Sequence, residues 1–192
     1  VMSTLAITDA LLSMIALSIM LSTNQAPSFR LAAGLFASAA VLGVLRFSGL
    51  LPLPTLHSFF SGLGATSAFP LLAASLFFST SAIATQWRFA SIFAIISGAF
   101  GLVASALEFS LWGNAVAIIS VVTLLLRSII AKDGLALLGA TFLFLALILF
   151  ALSIPLAYFL QPGDSLHLFM TLGLLALGVR GRRKKLKEQN PF

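Results

Sequence analysis

The sequence predicts an all-α integral membrane bundle of seven transmembrane helices, N-terminus outside and C-terminus cytoplasmic. Three observations carry this. The 192 residues are 60% hydrophobic and only 8% charged, where a soluble domain carries about 25% charged residues, and the mean hydropathy is +1.12. Breakers and polar clusters cut the chain into seven apolar stretches, each near the roughly 17–25 residues that a spanning helix needs. Finally, the basic residues fall on one side of the topology those stretches define.

The first span covers about 4–22 and closes at the polar run "STNQAPS". It has no Lys or Arg before its apolar core and carries Asp9 inside it, so it reads as a retained helix rather than a signal peptide. The second, about 30–50, closes at "LPLP" and contains Arg46. The third, about 55–78, opens beside His57 and ends at "STSAIATQ". The fourth, about 87–107, is followed by Glu108, and the fifth, about 111–130, ends at "AKDG". The sixth, about 135–160, is long, and Pro155 is expected to kink or end it. The seventh, about 164–181, opens with "DSLHLFM" and ends in "RGRRKK"; residues 182–192 form a basic cytoplasmic tail.

Charge placement sets the direction. Six of the eleven Lys and Arg residues lie between Arg180 and Lys187. With that tail inside, Arg30, Arg88, Arg127 and Lys132 also fall at cytoplasmic ends, and only Arg46 lies outside. The tail is expected to contact anionic lipid. No folded basic face or aromatic platform accompanies it, so the charge of +6 does not indicate nucleic acid binding. The chain has no cysteine, which excludes disulfides, thiolate metal sites and thiol nucleophiles. The expected location is the cell membrane, multi-pass, and the inner membrane in a bacterium. Trp87 and Trp112 sit at span ends as interfacial anchors.

On this topology nearly every unusual polar group occupies the outer leaflet: Asp9, Arg46, His57, Glu108, Asp164 and His167. Ionisable residues at membrane depth usually face the bundle interior or a water-filled cavity. Small residues at helical spacing share their faces, such as Gly43 and Ala39 behind Arg46, or Gly101 and Ala104 behind Glu108, and these allow close packing. The structural assignments are an ion pair of Arg46 with Glu108 or Asp9, Asp164 as the N-cap of the seventh span, and an interfacial hydrogen bond for His57. The chemical assignment makes His57, His167 and Asp9 three zinc ligands. Catalytic zinc commonly takes three protein ligands and a water, which becomes a nucleophile near neutral pH. Asp9, Glu108 and Asp164 are the candidate catalytic carboxylates, and Arg46 would hold an anionic headgroup.

Seven helices, a basic tail and "DSLHLF" opening the last span resemble the superfamily of alkaline ceramidases and progestin/adipoQ (hemolysin III-like) receptors. In that superfamily a motif of the form HxxxH opens the last helix. The resemblance aligns His167 with the second His of the motif and His57 with an earlier one, and it implies bound zinc. Gly163 stands where the first His would be, His57 begins a helix rather than ending one, and Asp9 would substitute for an Asp from another helix. Two functions follow as expectations. One is metal-dependent hydrolysis of a lipid amide or ester entering from the outer leaflet. The other is a non-catalytic lipid- or small-molecule-binding sensor or scaffold. The cytoplasmic halves of the spans are dry and rich in Phe and Leu, which disfavours a channel or transporter.

Overall fold

The computed structural model describes residues 3–109, 111–154, 157–158 and 160–189, with backbone alone from residue 184. Among these the chain is helical without a strand, and seven helical stretches are long and apolar enough to cross a membrane. The elements are α1 (Thr4–Leu21), α2 (Pro27–Phe47), α3 (Pro54–Leu63), a π-helical turn (Gly64–Ala68), α4 (Phe69–Phe77), the short α5 (Ala82–Thr85), α6 (Trp87–Ala106), α7 (Trp112–Ile130), α8 (Gly134–Ala151) and α9 (Pro162–Gln189). The third span is α3, the π turn and α4 run together.

Local chemistry explains the boundaries. Ser3 caps α1 by accepting the Ala6 N–H at 3.3 Å, and Asp133 caps α8 through the Ala136 N–H at 3.1 Å. Pro27 and Pro54 open α2 and α3, where a missing N–H costs nothing. Three successive spans stop by one device, a left-handed residue just past the helix end. These are Glu108 (φ 60°), Lys132 (φ 51°) and Ser153 (φ 55°). The N–H that follows each reaches back to a carbonyl five residues earlier, as in Phe109 to Ala104 at 2.9 Å and Ile154 to Leu149 at 2.8 Å. That reversal ends α8 at Ala151, nine residues short of the expected 160. Pro155 lies outside the described residues. At the other end of the chain α9 runs on to Gln189, so the basic segment expected as a separate tail from 182 continues the seventh span's helix. The bounds of α2 differ too: it starts at Pro27 and stops at Phe47, three residues before the expected end, because Gly49 (φ 77°) turns the chain.

The π turn has a sequence cause. Pro70 carries no N–H for the carbonyl four residues back, and its ring crowds that carbonyl. The helix accommodates it by widening at Gly64–Ala68.

Helix contacts close a ring: α1 packs on α2, α2 on the third span, α4 on α7, α7 on α8, α8 on α9, and α9 back on α1. Its centre is filled by Leu71, Leu72, Val121, Leu124, Leu143 and Leu174, all fully buried. Alanines such as Ala16, Ala32, Ala37 and Ala140 let the backbones approach. The closest approach joins α8 to α9, where a methyl group on Gly139 would stand 3.0 Å from the Gly173 carbonyl, and the reverse holds for Gly173. Helix α6 stands outside this ring against the π turn. Only 17% of its membrane window is buried, against 61% for the third span.

Candidate functional site

The face of the bundle where α1, α3 and α9 begin and α2 ends collects the polar groups. Thr4, Thr8 and Asp9 project from the first turns of α1, and Asp164 and His167 from the first turns of α9. Asp9 is 1% exposed and His167 14%. Asp9 Oδ1 stands 3.3 Å from His167 Nδ1. Its other oxygen, Oδ2, is buried with no hydrogen-bond partner among the described residues. That oxygen sits on the α2 backbone: a Cβ built on Gly43 would fall 2.1 Å from it. Glycine is required at 43 because the carboxylate occupies the place of the side chain.

Asp164 is the most fully engaged acid. It accepts from Thr4 Oγ1 at 2.9 Å, Thr8 Oγ1 at 3.0 Å and the Gln161 N–H at 2.8 Å. It is the third residue of α9, reaching back to the residue before the helix as in a capping box. This corrects its expected place as the N-cap itself. It also ties α9 to α1, so it holds the helix that presents His167.

Tautomers follow from the neighbours. With Asp9 ionised, Nδ1 of His167 carries a proton toward it, and Nε2 keeps the lone pair. Thr8 Oγ1, 3.5 Å from the same Nδ1, supports this, since its own hydrogen is directed at Asp164. His57 is arranged oppositely. Arg46 Nη1 lies 3.3 Å from His57 Nδ1. A guanidinium only donates, so Nδ1 accepts and the neutral ring carries its proton on Nε2. Arg46 also lies over Phe47, 5.1 Å from its centroid, and Phe47 meets His57 edge-on at 5.5 Å. The expected pairing of Arg46 with Glu108 or Asp9 is therefore replaced by Arg46–His57. His57, in the first turn of α3, and His167, near the start of α9, lie on the same face of the bundle.

Of the three expected zinc ligands, Asp9 and His167 meet, while His57 presents its lone pair to Arg46. No group of three His, Asp or Glu side chains able to hold a metal ion occurs among the described residues. Glu108 lies apart, lining a groove beside α6. Sequence reading missed the threonines that clamp Asp164. Their signal was available, since Thr4 and Thr8 are one helical turn apart on α1 and so share a face.

No known protein family, curated protein or solved structure matches this chain.

Proposed function

We propose that this multi-pass membrane protein hydrolyses an ester or amide of a lipid, using an acid–base centre on the outer face of the cell membrane. The observation that carries this reading is the Asp9–His167 contact at 3.3 Å, which leaves Nε2 of a partly exposed imidazole as a base. Among the described residues the donors do not make a three-ligand metal site, so the chain's own groups carry the chemistry. His167 Nε2 takes a proton from water as the water oxygen bonds to the carbonyl carbon. Asp9 stabilises the imidazolium that forms. The oxyanion takes hydrogen bonds from His57 Nε2–H and the Arg46 guanidinium. Collapse breaks the bond to the leaving alcohol or amine, which receives the proton back from His167. Asp164 positions His167 through Thr4 and Thr8 and does not touch the reacting atoms.

A second reading rests on the Asp9 oxygen seated against Gly43: the cluster then locks α1 to α2 in a non-catalytic, lipid-binding scaffold. One experiment separates the two. The purified protein is reconstituted in bilayers containing ester- and amide-linked lipids, and release of free fatty acid is followed for wild type, His167→Ala and His57→Ala. Loss of a general base lowers turnover by about 10²–10⁴-fold, so release above background that falls at least a hundredfold in His167→Ala is the expected result. No release by wild type, with His167→Ala only less heat-stable, overturns the hydrolase in favour of the scaffold. Elemental mass spectrometry of the same samples gives the remaining arm. Near-stoichiometric zinc that disappears in a His57→Ala, His167→Ala double variant would overturn the metal-free chemistry and restore the metal centre implied by the superfamily resemblance.

A further inference from the structure

Because α6 stands outside the ring, it leaves a groove of about 550 Å³ against α3, the π turn and α7. It is lined by the glycines Gly62, Gly98, Gly101 and Gly113 and by apolar side chains such as Phe59, Leu102 and Trp112. At the mouth are Thr55, Ser58 and Glu108. None of these three side chains makes a hydrogen bond or ion pair with the described residues. Glu108 occupies a left-handed position where glycine is least strained, and it projects the one carboxylate among the groove's lining residues.

The depth of the groove selects its occupant. From Glu108 to Gly98 is ten residues, about 15 Å of helix, half the roughly 30 Å of a bilayer's hydrocarbon core. No residue of α6 before Gly98 lines the groove, and α6 touches the third span at Gly101, where a Cβ would meet Thr66 Oγ1 at 2.5 Å, and at Gly98, where one would meet Leu63 at 2.9 Å. A helix of a second copy would need a seat of full membrane height. An acyl chain of one leaflet needs half, and it enters sideways with its headgroup at the mouth.

We propose that this groove holds one chain of a membrane lipid whose headgroup carries a primary ammonium, with the ammonium on Glu108. The free hydroxyls of Thr55 and Ser58, beside the first turn of α3, donate to the headgroup's phosphate. A headgroup with net negative charge and no ammonium meets only repulsion at Glu108. The site is separate from the Asp9–His167 centre and does not rest on the hydrolase reading.

The full chain in mild detergent is exposed to phosphatidylethanolamine or phosphatidylglycerol of identical chains, and retained lipid is read by native mass spectrometry. Wild type is expected to retain the ethanolamine lipid up to about fivefold better, the scale of one exposed ion pair. Glu108→Gln keeps the shape and is expected to bind both lipids equally. Gly62→Leu fills the groove, since a Cβ there meets nothing within 4 Å, and it is expected to retain neither lipid while folding normally. His167→Ala should retain lipid as wild type does. A preference that survives in Glu108→Gln, retention that survives in Gly62→Leu, or a dimer that Gly62→Leu dissociates would each overturn the proposal.

Discussion

Two helix junctions of this bundle lie on the same membrane face and behave oppositely. Where α1, α2 and α9 meet, the polar groups are swallowed: Asp9 and Asp164 are buried, and glycine 43 admits a carboxylate against bare backbone. Where α3, α6 and α7 meet, Gly62 faces open space and the carboxylate of Glu108 has no partner among the described residues, although Gly101 and Gly98 of α6 still pack on Thr66 and Leu63. Glycine thus serves contact at position 43 and vacant width at position 62. What decides is whether a neighbouring side chain reaches the glycine: Asp9 fills the place beside Gly43, and nothing lies within 4 Å of a Cβ on Gly62.

The sharpest way to break this contrast is at Gly43. Gly43→Ala puts a methyl group 2.1 Å from Asp9 Oδ2, and overpacking of this kind costs about 1–3 kcal/mol. A clear fall in thermal midpoint in detergent is expected. Asp9→Ala removes the clashing group, so adding it to Gly43→Ala should recover part of the loss, with a coupling of about 0.5–3 kcal/mol. Strictly additive losses would show that the carboxylate is not seated on Gly43.

At the open junction the same change should act with the opposite sign. A Cβ on Gly62 meets nothing within 4 Å, and glycine inside a helix is less stable than alanine by about 0.5–1 kcal/mol. Gly62→Ala is therefore expected to raise the thermal midpoint slightly. A fall comparable to that of Gly43→Ala would mean that the groove is closed in the protein and that the contrast between the junctions is false.

The contrast also marks what could be read from sequence. Depth was legible. Seven apolar stretches that alternate in direction, with a rise of about 1.5 Å per residue, place Asp9, Arg46, His57, Glu108, Asp164 and His167 on one face, and there they stand. Position around the bundle was not legible. Hydropathy is nearly uniform around helices immersed in lipid, so nothing in the sequence says that α6 leaves the ring and takes Glu108 away from Asp9. Partner choice fails for the same reason. Arg46 was expected to seek a carboxylate, but its neighbour across the short α2–α3 connection is His57. The π turn had a visible cause in Pro70, yet widening of a helix cannot be distinguished from a kink on that residue alone. The end of α8 was obscured by the apolar residues that follow Ala151, since the reversal at Ser153 uses no glycine.

The smallest expected effect lies on the opposite face and tests whether polar contacts matter equally at both ends of the bundle. There Arg180 of α9 donates from Nε to Asp133, which caps α8. Burial pushes the Asp133 carboxyl up, but hydrogen bonds from Arg180 and from the backbone N–H groups of Ala136 and Leu135, with the Arg180 charge, outweigh it and hold the group below its ordinary 3.8. A carboxylate depressed on folding contributes stability that is present above the unfolded value and lost as pH falls through the folded one. Asp133→Asn should therefore lower the thermal midpoint at pH 7, by the equivalent of about 1 kcal/mol or less for a partly exposed pair. The difference from wild type should shrink once pH drops below 3.8. Added salt should shrink it too, because water reaches both partners. A pH-independent difference would show that the ion pair does not carry the effect, since Asn caps a helix as well as Asp does. The two membrane faces would then differ in kind: charge would matter to stability only where Asp9 and His167 are shut away from water.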